Sequence, residues 1–236
     1  MAAKPVLFLL PGLMCDEAVW IHQTESLSSC ADIRIPVFRG FDSLVAMAEH
    51  VLDQAPERFS VVGHSMGGRV AWELMELAGN RIDKFSVMDT GVHPVSQAEP
   101  EKRQALIDKA QNEGLAAVAQ AWIPGMVHPH RHDDSNLITE ITDMIMRNSV
   151  EDFLGQMHAL LNRKDQTDNL ALIKHKVLLV AGEADAHSPP EQHRLMAEKL
   201  PSSQLEIVQG AGHMATMEKP EEVSRILVDW FMNDEN

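Results

Sequence analysis

The sequence is poor in residues that several protein classes require. Only two of its 236 residues are cysteines, Cys15 and Cys30, which is too few for a disulfide scaffold and favours reduced thiols. It has no tyrosine, so no phenolic hydroxyl can donate a hydrogen bond in a binding site. No apolar stretch approaches the length of a membrane span. These absences favour a globular protein that is soluble and cytoplasmic.

Basic residues are also scarce. Lys and Arg number 20 against 35 Asp and Glu, which gives a net charge of −15. Nucleic acids and anionic membrane surfaces both attract positively charged patches, so we expect neither as a partner. We expect a small-molecule substrate, and a monomer or homodimer. A short apolar run near the N-terminus is interrupted by Pro11 and Gly12, which favours a strand over a signal peptide.

Short apolar runs alternate with helical segments along most of the chain. This alternation predicts an α/β fold in which a parallel sheet of about six strands carries helices on both faces. Ligands in such sheets bind at the carboxyl ends of the strands. Residues 234–236 are expected to form a frayed tail. The predicted strands are 6–10, 33–37, 59–62, 85–88, 177–181 and 204–208.

The alternation stops between residues 93 and 172, where no strand is predicted. We predict an all-helical insertion there that covers the carboxyl edge of the sheet, with 1–92 and 173–236 forming the core. Its predicted helices are amphipathic, and the underside of such a cover must face the pocket. We choose Trp122 and Met126 as pocket-lining residues. The predicted helices are 101–112, 114–122, 136–147 and 150–161, with Pro124 and Gly125 in a loop.

The sequence Gly-His-Ser-Met-Gly-Gly at residues 63–68 lies between a predicted strand and a predicted helix. The Gly-x-Ser-x-Gly pattern requires this context, because it places the serine on a sharp turn above the sheet. Ser65 is therefore the candidate nucleophile. The backbone N–H of Met66 lies at the helix start, where it can stabilise an oxyanion. We choose the N–H of Leu13, after the first strand, as the second oxyanion donor.

A serine hydroxyl needs a base, and the base needs a partner that fixes its tautomer. His213 follows the last predicted strand and is the preferred base, whereas Asp185 follows the strand before it and is the preferred acid. Asp89 also ends a strand and is a rival acid, and His187 lies near Asp185 in sequence. Three histidines alternate in a loop without a carboxylate or cysteine cluster, so we predict no metal site: His128, His130 and His132.

Four segments together resemble the α/β-hydrolase superfamily. Residues 63–68 resemble its nucleophile elbow, 182–185 its acid loop, 210–213 its histidine loop and 9–13 its oxyanion turn. Within the superfamily the chain resembles small esterase or enol-lactonase-like members. It departs from their pattern in having Pro11 where His is usual, and in lacking the initial antiparallel strand pair, so a trimmed, all-parallel sheet is expected. The insertion resembles the superfamily's helical cap.

The resemblance implies a serine hydrolase that cleaves a small carboxylic ester or lactone through an acyl-enzyme intermediate, with no cofactor. Ser65 would attack the carbonyl, His213 would accept its proton and Asp185 would orient the histidine. The same triad serves lyases, C–C hydrolases and acyl transferases in the superfamily, and the fold also occurs in small-molecule receptors with little turnover. The fold alone does not choose among these activities.

Overall fold

A computed structural model describes residues 3–233 of the chain. Six parallel strands form one sheet in the order β2-β1-β3-β4-β5-β6. The predicted α/β fold with a six-stranded parallel sheet is confirmed. The prediction about the C-terminal tail, 234–236, lies outside the described residues. The strands are β1 Val6–Leu10, β2 Asp32–Arg34, β3 Phe59–His64, β4 Ile82–Met88, β5 Val177–Gly182 and β6 Ser203–Val208.

Ten α-helices lie within residues 3–233, and they cover the sheet. Strands β1, β3 and β5 are buried along their whole length, as apolar strands with helices on both faces should be. The helices are α1 Ile21–Leu27, α2 Leu44–Leu52, α3 Met66–Ala78, α4 Glu99–Glu113, α5 Leu115–Met126, α6 Ser135–Met146, α7 Val150–Leu161, α8 Pro190–Lys199, α9 Ala215–Glu218 and α10 Pro220–Met232.

The strand order creates a switch point between β1 and β3. From β1 the chain turns outward to β2, whereas from β3 it proceeds the opposite way to β4. Because crossovers between parallel strands are right-handed, the helices after β1 and β3 lie on opposite faces. Helices α1 and α10 pack together on one face, and α2 packs with α3 on the other. The loops that follow β1 and β3 therefore separate and open a crevice.

The structure differs locally from the predicted elements. Strand β2 ends at Arg34 rather than residue 37, because Pro36 cannot donate a ladder hydrogen bond. After β1 the chain forms a 3₁₀ turn over Glu17–Trp20, which the Asp16 side chain caps by accepting from the Ala18 N–H. The short helix α9 was not predicted from the sequence. It is too brief to show helical periodicity.

The chain between β4 and β5 contains α4 to α7 and no strand within the described residues. The predicted loop at Pro124 is wrong, since α5 continues to Met126. Proline removes the hydrogen bond that would reach the carbonyl of Gln120, but Gln120 is exposed and water can bind it. The His132 side chain also binds the Pro124 carbonyl at 2.9 Å. The division into a core and a helical cap stays a prediction.

No helix among residues 3–233 combines the length and apolar character that crossing a bilayer requires.

Candidate active site

The turn from β3 to α3 holds Ser65 in a strained conformation. Its φ of 54° and ψ of −115° lie outside the regions that non-glycine residues favour. The turn is possible because glycines flank it. A Cβ on Gly63 would lie 2.4 Å from the carbonyl oxygen of Gly67, and one on Gly67 would lie 2.2 Å from that of Leu10. The glycines thus let α3 start directly against β1 and β3, with Ser65 at the switch point.

Two hydrogen bonds connect Ser65, His213 and Asp185. The Ser65 Oγ lies 2.8 Å from His213 Nε2, and His213 Nδ1 lies 2.8 Å from Asp185 Oδ2. A carboxylate only accepts, so Nδ1 carries the proton and Nε2 is free to accept from the serine hydroxyl. The three residues lie in the loops that follow β3, β5 and β6. Ser65 and His213 are 148 positions apart in the sequence. The structure thus brings together the three residues chosen from the sequence.

Asp185 is held as a carboxylate. Its Oδ1 accepts from the backbone N–H groups of His187 and Ser188 at 2.8 and 2.9 Å. Burial by itself would raise its pKa, but the charge and hydrogen bond of His213 and these two N–H groups lower the pKa below its usual value. The carboxylate therefore stays ionised and can stabilise a protonated His213.

The rival acid, Asp89, lies close by but does not bind His213. Its Oδ1 accepts from the Gly182 N–H at 2.8 Å, and its Oδ2 lies 3.8 Å from His64 Nε2. Burial, together with the nearby charge of Asp185, raises the pKa of Asp89 well above its usual value. His64 is itself buried and its Nε2 lies 2.8 Å from the His213 carbonyl, so it supports the histidine loop.

Two backbone N–H groups beside the Ser65 cavity are candidates for an oxyanion hole. Leu13 and Met66 line the same cavity as Ser65, and within residues 3–233 neither N–H donates to another protein group. The neighbouring Met14 N–H is occupied, since it donates to Gln156 Oε1 at 2.8 Å. The Gln156 amide in turn donates to the Phe38 carbonyl at 3.2 Å. A glutamine from α7 therefore fixes the turn that carries Leu13.

Ser65 and His213 open onto a cavity of about 520 Å³. Trp122, predicted to line the pocket, is among its lining residues. Met126 is not: it is buried, and its carbonyl accepts from the Met214 N–H at 3.1 Å. His187 also lines the cavity, with its ring centroid 5.1 Å from that of His213. Its ring makes no hydrogen bond to Ser65 among the described contacts.

The same cavity is lined by a group of charged residues that the sequence motifs do not identify. One of them, Arg69, was detectable, because it lies four residues after Ser65 and therefore one helical turn along α3. The others come from the insertion, and no motif marks them. The charged lining residues are Arg69, Glu99, Lys102, Arg103 and Arg163.

The remaining candidates lie outside this cavity. His128 Nδ1 accepts from the His130 N–H at 3.1 Å, and the His132 ring binds Pro124. Among residues 3–233 no group of three or more histidine, cysteine, aspartate or glutamate side chains is arranged to hold a metal ion. Cys15 and Cys30 are free thiols. Burial, followed by the charge of Asp16, raises the pKa of the Cys15 thiol to about 12, so it is not a nucleophile at neutral pH.

Residues 7–226 match the alpha/beta hydrolase family. The chain belongs to this family. The match covers both the sheet and the helices between β4 and β5, and it confirms the superfamily resemblance and the prediction of an α/β-hydrolase-fold enzyme.

The names of similar proteins point to more than one hydrolytic reaction. A pimeloyl-[acyl-carrier protein] methyl ester esterase of Aromatoleum aromaticum is 23% identical over 96% of this chain and 98% of its own. A putative carbamate hydrolase of Agrobacterium fabrum is 24% identical over 93% of this chain and 90% of its own. These relatives support hydrolase activity.

Solved structures share the fold over almost the whole chain. A thermophilic esterase from Thermogutta terrifontis matches with a TM-score of 0.86 and 26% identity, covering 98% of this chain and 90% of its own. The enol-lactonase from Burkholderia xenovorans matches with a TM-score of 0.89 and 21% identity, covering 98% and 93%. At that identity the enol-lactonase establishes similarity of fold alone.

Proposed function

We propose that the protein is a serine hydrolase that cleaves a small carboxylic ester or lactone through an acyl-enzyme intermediate. The observation that carries this proposal is the continuous hydrogen-bonded chain from Ser65 through His213 to Asp185 at the end of a cavity. Each member has the partner that its role in acyl transfer requires. The relatives named as esterases support the same reaction class.

In the first half-reaction the Ser65 oxygen adds to the substrate carbonyl, and His213 Nε2 accepts the hydroxyl proton. The carbonyl π electrons move onto its oxygen. When the tetrahedral intermediate collapses, the bond to the leaving oxygen breaks and His213 returns the proton to it. In the second half-reaction, water adds to the acyl-enzyme carbonyl while His213 Nε2 accepts a proton from it. When the second tetrahedral intermediate collapses, the bond to the Ser65 oxygen breaks, His213 gives the proton to that oxygen and the carboxylic acid leaves. Ser65 regains its proton, so neither cofactor nor net charge transfer is needed.

The negative oxygen of each intermediate would be bound by the N–H groups of Leu13 and Met66. Both are free to donate, and Met66 also begins α3, so the helix dipole adds to the stabilisation. One such donor typically contributes about 10²–10³ in kcat. Gln156 would act indirectly, because it fixes the neighbouring Met14 N–H and thus the orientation of the Leu13 peptide.

Replacing Ser65 by alanine tests the proposal. We expect the Ser65→Ala protein to lose roughly 10⁶ in kcat on para-nitrophenyl butyrate, because the nucleophile is absent. Labelling by a fluorophosphonate should disappear with it. Ser96→Ala is the matched control, since Ser96 lines the same cavity and makes no hydrogen bond to His213 within residues 3–233. Equal rates for wild type and Ser65→Ala contradict the proposal.

A C–C bond hydrolase is the second candidate. One relative, the 2-hydroxy-6-oxo-6-phenylhexa-2,4-dienoate hydrolase of Comamonas testosteroni, is 25% identical over 74% of this chain and 63% of its own. Because the superfamily's C–C hydrolases use the same triad, the geometry of Ser65, His213 and Asp185 does not separate the two activities. Turnover of simple esters together with inertness toward vinylogous diketones supports the esterase assignment.

A further inference from the structure

The cavity at Ser65 carries a charge of opposite sign to the whole molecule. The chain has a net charge of −15, yet four cationic side chains and a single carboxylate are among the residues that line this cavity. Lys102 is exposed at the rim, whereas Arg69 and Arg163 are buried. A concentration of cationic groups inside an acidic protein costs free energy unless something anionic offsets it.

The carboxylate of Glu99 is already engaged. Its two oxygens accept from Arg163 Nη1 and Nη2 at 2.7 and 2.6 Å, and Oε1 also accepts from Arg103 Nε at 2.7 Å. Burial opposes ionisation of Glu99, but the hydrogen bonds from Arg163 and then Arg103 lower its pKa to about 2. Glu99 therefore neutralises Arg163 and has no acceptor directed at Arg69.

Arg69 is a buried cation without a carboxylate partner. It is 9% exposed, and its Nη1 donates to the His93 carbonyl at 2.9 Å. Within residues 3–233 no carboxylate oxygen lies within 4.0 Å of its guanidinium; Glu99 and Asp165 act on it only from further away. Burial, followed by the charge of Arg163, lowers its pKa to about 9, so the group is still charged at neutral pH.

Arg103 also has unused donor capacity. Its Nη1 contacts Met157 Sδ at 3.1 Å, and a thioether is a weak acceptor. A planar guanidinium offers five N–H donors in a fork that fits a carboxylate in bidentate geometry. The Arg163–Glu99 pair already shows a carboxylate bound in this way on the same wall.

Arg69 is positioned to contact the substrate of Ser65. It lies one helical turn along α3, its N–H donates to the Ser65 carbonyl at 3.3 Å, and its side chain lines the same cavity. A ligand that reaches Ser65 through this cavity therefore shares the cavity with the Arg69 side chain. The nearby His93 is neutral at pH 7: burial, and then the charges of Arg69 and Arg163, lower its pKa to about 4.

We propose that Arg69, assisted by Arg103, binds a carboxylate that the substrate carries in addition to its scissile carbonyl. The substrate class is then a half-ester of a dicarboxylic acid, or a lactone with a pendant carboxylate. This inference rests on the proposed hydrolase function and narrows it. It also accounts for a cation buried without a counter-ion, since the substrate supplies the missing charge.

A matched pair of esters tests the inference. One is the mono-para-nitrophenyl ester of adipic acid, and the other has its free carboxylate replaced by a primary amide of the same size. We expect wild type to prefer the carboxylate ester by roughly ten- to hundredfold in kcat/KM, the range of a hydrogen bond to a charged group. Arg69→Met should reduce this ratio to about one, and Arg69→Lys should restore part of it. Arg225→Met, on the exposed face of α10, should keep the wild-type ratio.

A second measurement uses only the wild-type protein, so it does not depend on the folding of a variant. Pentanoate and pentanamide are compared as inhibitors of the hydrolysis of the amide ester, and pentanoate should bind roughly tenfold or more tightly than pentanamide. If wild type hydrolyses both esters with equal kcat/KM and pentanoate inhibits no better than pentanamide, the proposed carboxylate site is wrong, but the proposed hydrolase function is still supported. If neither ester is hydrolysed and the fluorophosphonate does not label Ser65, the proposed function itself has failed.

Discussion

Among single residues, the two carboxyl groups near His213 illustrate how small differences in position assign different roles. Asp185 Oδ2 lies 2.8 Å from His213 Nδ1, whereas Asp89 binds the Gly182 N–H and lies next to His64. Asp185 has a lowered pKa and Asp89 a raised one, and for both the burial effect favours protonation. The hydrogen bonds from His213 and the 187–188 backbone make the difference for Asp185.

Replacing each carboxyl by its amide separates the two roles. Asp185→Asn should lower kcat on para-nitrophenyl butyrate by roughly 10⁴, because an amide that donates to Nδ1 leaves the proton on Nε2, where it blocks acceptance from Ser65. Asp89→Asn keeps an oxygen for the Gly182 N–H, and we expect less than about a tenfold loss. A loss in Asp89→Asn as large as in Asp185→Asn means that Asp89 also controls the histidine.

Within single elements, the close approach of α3 to β1 fixes the nucleophile. Gly67 lies in the first turn of α3, where a Cβ would be 2.2 Å from the Leu10 oxygen and 2.7 Å from that of Pro11. Both contacts are with backbone, so relief requires moving the helix away from the sheet. Such a movement also displaces Ser65 and the Met66 N–H.

We therefore expect Gly67→Ala to lower the free energy of unfolding by about 3 kcal/mol or more. Gly79→Ala, at the other end of α3, is the matched control. Its φ of −54° suits alanine, and its Cβ would meet only the flexible Met75 Sδ at 3.0 Å, so a change within about 1 kcal/mol is expected. Urea titrations of both proteins give the comparison. Equal midpoints and slopes for the two variants are incompatible with a backbone clash at residue 67.

At the scale of the whole molecule, buried histidines couple stability to pH. His193 is fully buried, and its Nε2 accepts from the Thr90 N–H at 3.3 Å, which requires an unprotonated nitrogen there. Its Nδ1 donates to the Pro189 carbonyl at 3.3 Å. Burial lowers the pKa of His193 to about 4, and that of His64 likewise to about 4. In the unfolded chain both would protonate near the ordinary value of about 6.5.

Between these two pKa values the unfolded state binds more protons than the folded state. The contribution of the two histidines to the free energy of unfolding is therefore fully present above about pH 6.5 and is lost as the pH falls toward 4. Each histidine contributes a slope of about 1.4 kcal/mol per pH unit in that window. His193→Gln should remove one such slope from urea-derived unfolding free energies. His22→Gln, at an exposed position, should follow wild type, and the difference between the variants cancels the other titrating groups. An unchanged slope in His193→Gln contradicts a neutral buried ring.

The local sequence determined the sheet and the edge at which Ser65, His213 and the two candidate acids, Asp89 and Asp185, gather. Each of these residues follows an apolar run of strand length, and parallel strands place their carboxyl ends along one edge. The topology therefore gathers the loops without further information. Leu13 follows the same rule, since it lies after β1 at the switch point.

Only the tertiary structure decided which acid binds His213, and which insertion residues face the cavity. Asp185 and Asp89 both end strands, so their loops had to be placed before one was paired with the histidine. Trp122 lines the cavity and Met126 does not, because the face that α5 presents depends on its packing with other helices. The position of Arg69, Arg103 and Arg163 around the cavity likewise depends on how their helices and loops pack together. Helical periodicity identifies a buried face of a helix, but it does not identify what that face packs against. The Arg69 side chain faces the cavity, where no carboxylate pairs with it within residues 3–233.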